Sequence, residues 1–193
     1  FLTDRGVASH LAHFDATLMN DVSILHVPTY SLTDEPLAAT CVQYINSART
    51  TGALISLDAS SSSVLKQYGI DRYRTLIETL KPDVFLCNED EAAELGVHAE
   101  QPMNGAALTV IKQGPLPVIA VQHDGVTVEV AVAPVAHIVD TTGAGDAFAA
   151  GFLPHYSYTK DIVAAVAHGH AVASRVLQSP GATLNNSQQQ EQL

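Results

Sequence analysis

Apolar positions along the chain recur with two periods, and the switches between them mark the elements. Val7, Leu11, Phe14 and Leu18 are spaced for one face of a helix over 3–18. Val22 to Val27 has the length and character of a short buried strand, closed by Pro28. Thr33-Asp34-Glu35-Pro36 supplies a capping residue and a proline for a helix start. Leu37, Cys41, Tyr44, Ile45 and Ala48 form the apolar face that follows, and Gly52 ends it. Ala53 to Asp58 reads as a strand that delivers Asp58 at its C-terminal end. The Ser-rich run Ala59 to Ser63 is a loop or helix cap, after which helical spacing resumes at Val64-Leu65 and again from Tyr73 to Leu80. Val84 to Cys87 and Leu108 to Lys112 are continuous apolar runs of strand length. Between them Asn88-Glu89-Asp90-Glu91 opens a short helix, Ala92 to Leu95. Val118 to Gln122 and Val126 to Val132 flank His123-Asp124-Gly125, a hairpin turn with Asp-Gly at its tip. Ala136 to Val139 is strand-like, and the last helical segment runs from Lys160 to Leu177.

Strand–helix alternation over the first part predicts right-handed βαβ units, hence a mostly parallel sheet with helices on both faces. The late hairpin adds antiparallel strands at one edge. A chain of 193 residues fits one domain, expected over 1–184, with the Asn/Gln-rich stretch 185–193 as a disordered tail. A hydrophobic content of 47 % supplies a core, and charged residues at 15 % exclude a coiled coil or a disordered chain.

Lys and Arg number 9 against 20 Asp and Glu, a formal net charge of −11, which excludes nucleic-acid binding through a general basic face. Local backbone dipoles can still hold an anionic ligand. No apolar stretch approaches the roughly 20 residues of a membrane span. Cys41 and Cys87 sit in apolar runs and read as reduced thiols of a cytoplasmic protein. The chain opens Phe1-Leu2-Thr3-Asp4, with neither Met nor signal peptide, and reads as the remainder of a longer protein.

The segment that carries chemistry is Asp140-Thr141-Thr142-Gly143-Ala144-Gly145-Asp146-Ala147-Phe148 with Ala149-Ala150-Gly151-Phe152 behind it. Two glycines let the backbone turn sharply and approach a ligand. The unpaired N–H groups at the start of the following helix, added to its dipole, make an anion hole. Asp146 stands in the first turn of that helix. A carboxylate would repel a bound phosphate unless it has a task there, such as taking the proton of an attacking hydroxyl. The pair suggests phosphoryl transfer, although an acidic residue in a first helical turn is also favourable in its own right. The dinucleotide pattern G-x-G-x-x-G fails at Phe148, and no Gly-Lys-Ser/Thr of a Walker A loop is present.

These residues resemble the C-terminal signature of the PfkB, or ribokinase-like, carbohydrate kinases. The resemblance extends through Asn88 and Glu91, similar to that family's N-x-x-E element, and through Ile111-Lys112-Gln113-Gly114. It implies a three-layer α/β/α sandwich with a mostly parallel central sheet, lacking the N-terminal part that holds the lid and most sugar contacts. It also implies an ATP-dependent sugar kinase with Asp146 as catalytic base and the amides of Gly143, Ala144 and Gly145 as anion hole. Asn88, Lys112, Gly114 and His170 would bind ATP, and Glu91 would organise Mg²⁺ through water. Asp140 and the Thr142 carbonyl would match a site for a monovalent cation such as K⁺. The partners implied are a small sugar and ATP, with no nucleic acid and no membrane.

Three departures from the family stand out: the missing N-terminal part, Pro117 where a second glycine is usual, and the Leu153-Pro154-His155-Tyr156 interruption of the helix after Asp146. Missing strands would leave an uncovered edge or apolar surface, favouring self-association as a homodimer. The residues leave open a nucleoside kinase on the same scaffold, and a non-catalytic nucleotide-binding fragment. Asp58 is a candidate for a substrate or supporting contact. His10 and His13 lie one turn apart without a third ligand and read as structural, as does His168.

Overall fold

The computed structural model describes residues 10–182. Six strands lie side by side in chain order: β1 (Ile24–Pro28), β2 (Leu54–Asp58), β3 (Val84–Asn88), β4 (Leu108–Lys112), β5 (Val118–Gln122) and β6 (Thr127–Val130). The first four pair in parallel and β5 runs antiparallel to β4. The chain divides into two compact units, Phe1–Lys112 with Ile119–Thr127, and Gln113–Val118 with Val128–Leu193.

In the first unit the helices are α1 (Leu37–Thr50), α2 (Ser62–Tyr68), α3 (Ile70–Leu80) and α4 (Glu89–Leu95). The odd-numbered strand residues Val27, Ile55, Leu57, Phe85, Cys87 and Ile111 share one core with Ile45 and Ala48 of α1, Leu65 of α2, Tyr73 and Ile77 of α3, and Ala92 and Leu95 of α4. All four helices of this unit therefore contribute to one face. Sequential strand order with right-handed crossovers has this effect. The even-numbered residues Leu54, Ser56, Val84, Leu86, Leu108 and Val110 are buried as well. That two-sided burial is why these strands read as unbroken apolar runs.

The second unit is built on α5 (Ala144–Thr159) and α6 (Ile162–Leu177). The two helices touch through glycines. A Cβ on Gly151 would fall 2.5 Å from the His168 carbonyl oxygen, and one on Gly169 would fall 2.9 Å from the Phe148 ring. Asp161 caps α6, its Oδ1 accepting the Ala164 N–H at 3.0 Å.

Several expectations need correction. Over residues 10–18 there is no α-helix, only a 3₁₀ turn at Ala16–Met19 capped by Asp15; the rest of that predicted helix lies outside the described residues. The proline before α1 is its N-cap residue. Ala136–Val139 forms no strand; Val139 instead donates its N–H to the Leu177 carbonyl at 2.8 Å. Finally, α5 does not break at Pro154 but runs through it to Thr159. The carbonyl that loses its partner belongs to Ala150, which is exposed like Pro154, so the missing bond falls on the solvent side of α5. The stretch 185–193 lies outside the described residues. Among them, no helix is long and apolar enough to cross a membrane.

Candidate functional site

In the first unit, polar side chains gather at the C-terminal ends of the parallel strands, where α/β sheets commonly bind ligands. Asp58 ends β2, Asn88 ends β3 and Lys112 ends β4. The register places Asp58 beside Leu86, and Asn88 beside Lys112. Lys112 therefore starts one pleat beyond Asp58 and reaches back over β3 to it, its Nζ donating to Asp58 Oδ2 at 3.0 Å. Both side chains are largely buried, 15 % and 12 % exposed, so the pair is shielded from water far more than an ordinary surface ion pair.

The other polar atoms of Asp58 are engaged with nearby groups. Its Oδ1 accepts the Ser60 N–H at 2.8 Å, and its carbonyl accepts both the Thr29 hydroxyl at 2.7 Å and the Ser60 hydroxyl at 3.0 Å. Thr29 Oγ1 spends its proton on that carbonyl, so the Tyr73 hydroxyl, 2.6 Å away, is the donor of their shared bond. Ser60 adopts a left-handed φ of +64° to close this turn. Sequence reasoning flagged Asp58 alone; Thr29, Ser60 and Tyr73 come from three separate segments and leave no local signal.

Asn88 and Glu91 form a reciprocal cap at the start of α4. Glu91 is 3 % exposed, and burial pushes its carboxyl above the usual range. The Asn88 N–H lowers it in part; Asp58 adds to the rise and Lys112 opposes it. Cys87 is a buried free thiol held in its protonated form by burial, and Cys41 is free and half-buried. Among the described residues no three His, Cys, Asp or Glu side chains converge to hold a metal directly.

The second unit carries the Gly-rich turn. Gly143, at φ +77°, is the N-cap of α5, and a Cβ there would fall 2.5 Å from that of Ala182. Only glycine fits, by conformation and by space. The Ala144 N–H closes a turn on the Thr141 carbonyl at 3.2 Å. As first-turn residues, Gly145 and Asp146 have no partner for their amides inside α5, and Asp146 is exposed beside them. Asp140 braces the approach. Its Oδ1 accepts the Thr142 N–H at 2.9 Å and the Thr142 hydroxyl at 2.8 Å, and its Oδ2 accepts the Gly181 N–H at 3.0 Å. These bonds, those from Thr142 foremost, hold its carboxyl below the usual range. Gly114 is left-handed at φ +58° with nothing within 4 Å of a Cβ, so its role is conformational.

A cavity of about 600 Å³ opens between α6 and the apolar loop Ala131–Ala136. His170 and Ser174 of α6 and Gln178, the residue that caps its end, line it at four-residue steps. His170 is half-buried, and burial holds its imidazole below the usual pKa, so it faces the cavity neutral at pH 7. Ser174 and Gln178 are missing from the sequence expectations. The four-residue spacing from His170 is the signal that would find them.

The sequence profile of the pfkB family carbohydrate kinases matches residues 1–189. Among solved structures, a probable sugar kinase from Rhizobium etli CFN 42 superposes with a TM-score of 0.77 at 21 % identity, over 90 % of this chain and 54 % of that one. The adenosine kinase from Sinorhizobium meliloti gives 0.76 at 21 % identity, over 92 % and 57 %. The fructokinase with bound ATP from Xylella fastidiosa gives 0.75 at 21 % identity, over 90 % and 61 %. The chain thus has the α/β fold of these kinases and spans a little over half their length.

Proposed function

The chain belongs to the pfkB family of carbohydrate kinases, and on that basis we propose that it carries the phosphoryl-transfer machinery of an ATP-dependent kinase acting on a sugar hydroxyl. The observation that carries this reading is the start of α5, where first-turn amides and the exposed Asp146 carboxylate stand together after a glycine that nothing else can replace. Of the anion hole implied at Gly143, Ala144 and Gly145, the Ala144 amide is turned onto the Thr141 carbonyl, so in this reading the Gly145 amide and that of its neighbour Asp146 hold and neutralise the transferring phosphoryl group. The Asp146 carboxylate orients the acceptor hydroxyl and takes its proton as the new P–O bond forms. The cavity beside His170, with its apolar walls and a neutral imidazole at its rim, has room for the nucleobase. Lys112 supplies positive charge for the phosphates, next to Asn88 at the end of β3.

Mg²⁺ fits the strand ends through water at Glu91, one of whose carboxylate oxygens caps α4, since a hydrated ion needs few direct ligands; both oxygens of Asp58 are already taken by Ser60 and Lys112. When bound it would neutralise charge on the ATP phosphates. Asp140 fits a monovalent cation less well, because the chain's own N–H and O–H groups already occupy both of its oxygens, and no step is derived through one. The free thiols accord with a reducing compartment such as the cytoplasm.

A nucleoside acceptor is the second reading, supported by the adenosine kinase among the similar structures. The test is phosphotransfer to sugars and nucleosides, with calorimetric binding of an unhydrolysable ATP analogue in the presence and absence of Mg²⁺. Asp146→Asn should lower turnover by about 10²–10⁴-fold with nucleotide affinity kept. Undiminished turnover removes Asp146 from the base role. Mg²⁺-dependent nucleotide binding without any transfer would leave a non-catalytic binding fragment as the better description.

A further inference from the structure

Asp58 and Lys112 are unequal partners. The aspartate is the fixed partner: the Ser60 N–H holds its Oδ1, and the Thr29 and Ser60 hydroxyls hold its backbone carbonyl, with the Tyr73 hydroxyl behind Thr29. The ammonium is the end of a flexible four-carbon stem that reaches across β3 to make its bond. An anion arriving at the strand ends meets a lysine whose charge is already engaged, at a place where the nearby carboxylates Asp58 and Glu91 outnumber it. We propose that Asp58 is an internal competitor for the anion that Lys112 serves: it parks the ammonium over β3 and yields it to a polyphosphate. The proposal rests on the reading of Lys112 as a neighbour of the nucleotide phosphates. It makes Asp58 a positioning residue that sets how tightly, and how selectively, the site takes a phosphate chain.

Two ligands separate the possibilities: inorganic tripolyphosphate, which probes charge alone, and ADP, which also carries the base. Each is titrated calorimetrically into the full chain without divalent ions. Asp58→Asn keeps an acceptor for the Ser60 N–H and removes the competing charge; it should bind tripolyphosphate roughly tenfold tighter than the wild type. Adding Lys112→Met to that variant should abolish the gain. Thermal denaturation checks that each protein is folded, and Asp58→Ser, which keeps a short acceptor, replaces Asp58→Asn if that variant fails to fold. A purely structural Asp58 would lower the melting temperature and leave anion affinity unchanged or weaker, and that result overturns the proposal. If ADP binds wild type and Asp58→Asn alike, the proposal falls and the nucleotide reading stands. If neither ligand binds any of the proteins, both fall together.

Discussion

Asn88 and Glu91 hold each other: Asn88 Oδ1 accepts the Glu91 N–H at 2.9 Å, and Glu91 Oε2 accepts the Asn88 N–H at 2.8 Å. This reciprocal cap anchors a helix of seven residues, too short to persist without it. Asn88→Ala should therefore cost about 1 kcal/mol, read as a lower midpoint in urea denaturation. An unchanged midpoint would mean that packing of Ala92 and Leu95 alone holds α4.

Glu91→Gln should act in the opposite direction on stability. Glutamine keeps an acceptor for the Asn88 N–H and carries no charge to bury. The folded carboxyl titrates above 4.5, chiefly through burial, so its contribution to stability is fully present below that value and lost as pH rises through the raised one. The variant should thus melt a few degrees higher at pH 7, with the gain vanishing below 4.5. The same variant should lose Mg²⁺-dependent nucleotide binding. Stability and binding that move together would contradict a functional role for this carboxylate.

Asp140 follows the reverse sign. Its folded carboxyl titrates below 3.8, so its bracing is present above that value and lost as pH falls through the lowered one. An NMR titration followed at the Thr142 and Gly181 amides should give a midpoint below 3.8. A midpoint at or above it would mean that these hydrogen bonds do not persist in solution.

His170 should matter for the base and not for the phosphates. His170→Ala should weaken ADP severalfold and leave tripolyphosphate binding unchanged; equal loss for both would remove the cavity from nucleotide recognition. Because burial lowers the folded pKa, the unfolded chain takes its proton first as pH drops through 6.5, and stability declines there. The variant should lack that part of the decline.

The central strands β2, β3 and β4 were legible in the chain because they are buried on both faces and show as short apolar runs, β3 at Val84–Asn88 most plainly. The Gly143–Asp146 turn was legible because its residue types are demanding and adjacent. What stayed hidden is long-range. Nothing near Asp58 announces a partner 54 positions away, and nothing near Thr29 announces Tyr73. Of the local signals that misled, two have a plain physical reason. Helical spacing from Leu11 to Leu18 meets only a 3₁₀ turn, where Asp15 turns its carboxylate back onto the Thr17 N–H and so favours a tight cap. Pro154 looked like a break, yet its place on the outer side of α5 puts the missing bond toward solvent.

The glycine contacts between α5 and α6 set the spacing of the two helices. Backbone meets backbone at Gly151 and His168, so the missing methyl group is what lets the helices lie this close. The turn at Gly143 opens α5 and His170 stands on α6, so a single added carbon at that crossing would shift the turn against the cavity wall. Gly151→Ala should cost about 1–3 kcal/mol by overpacking.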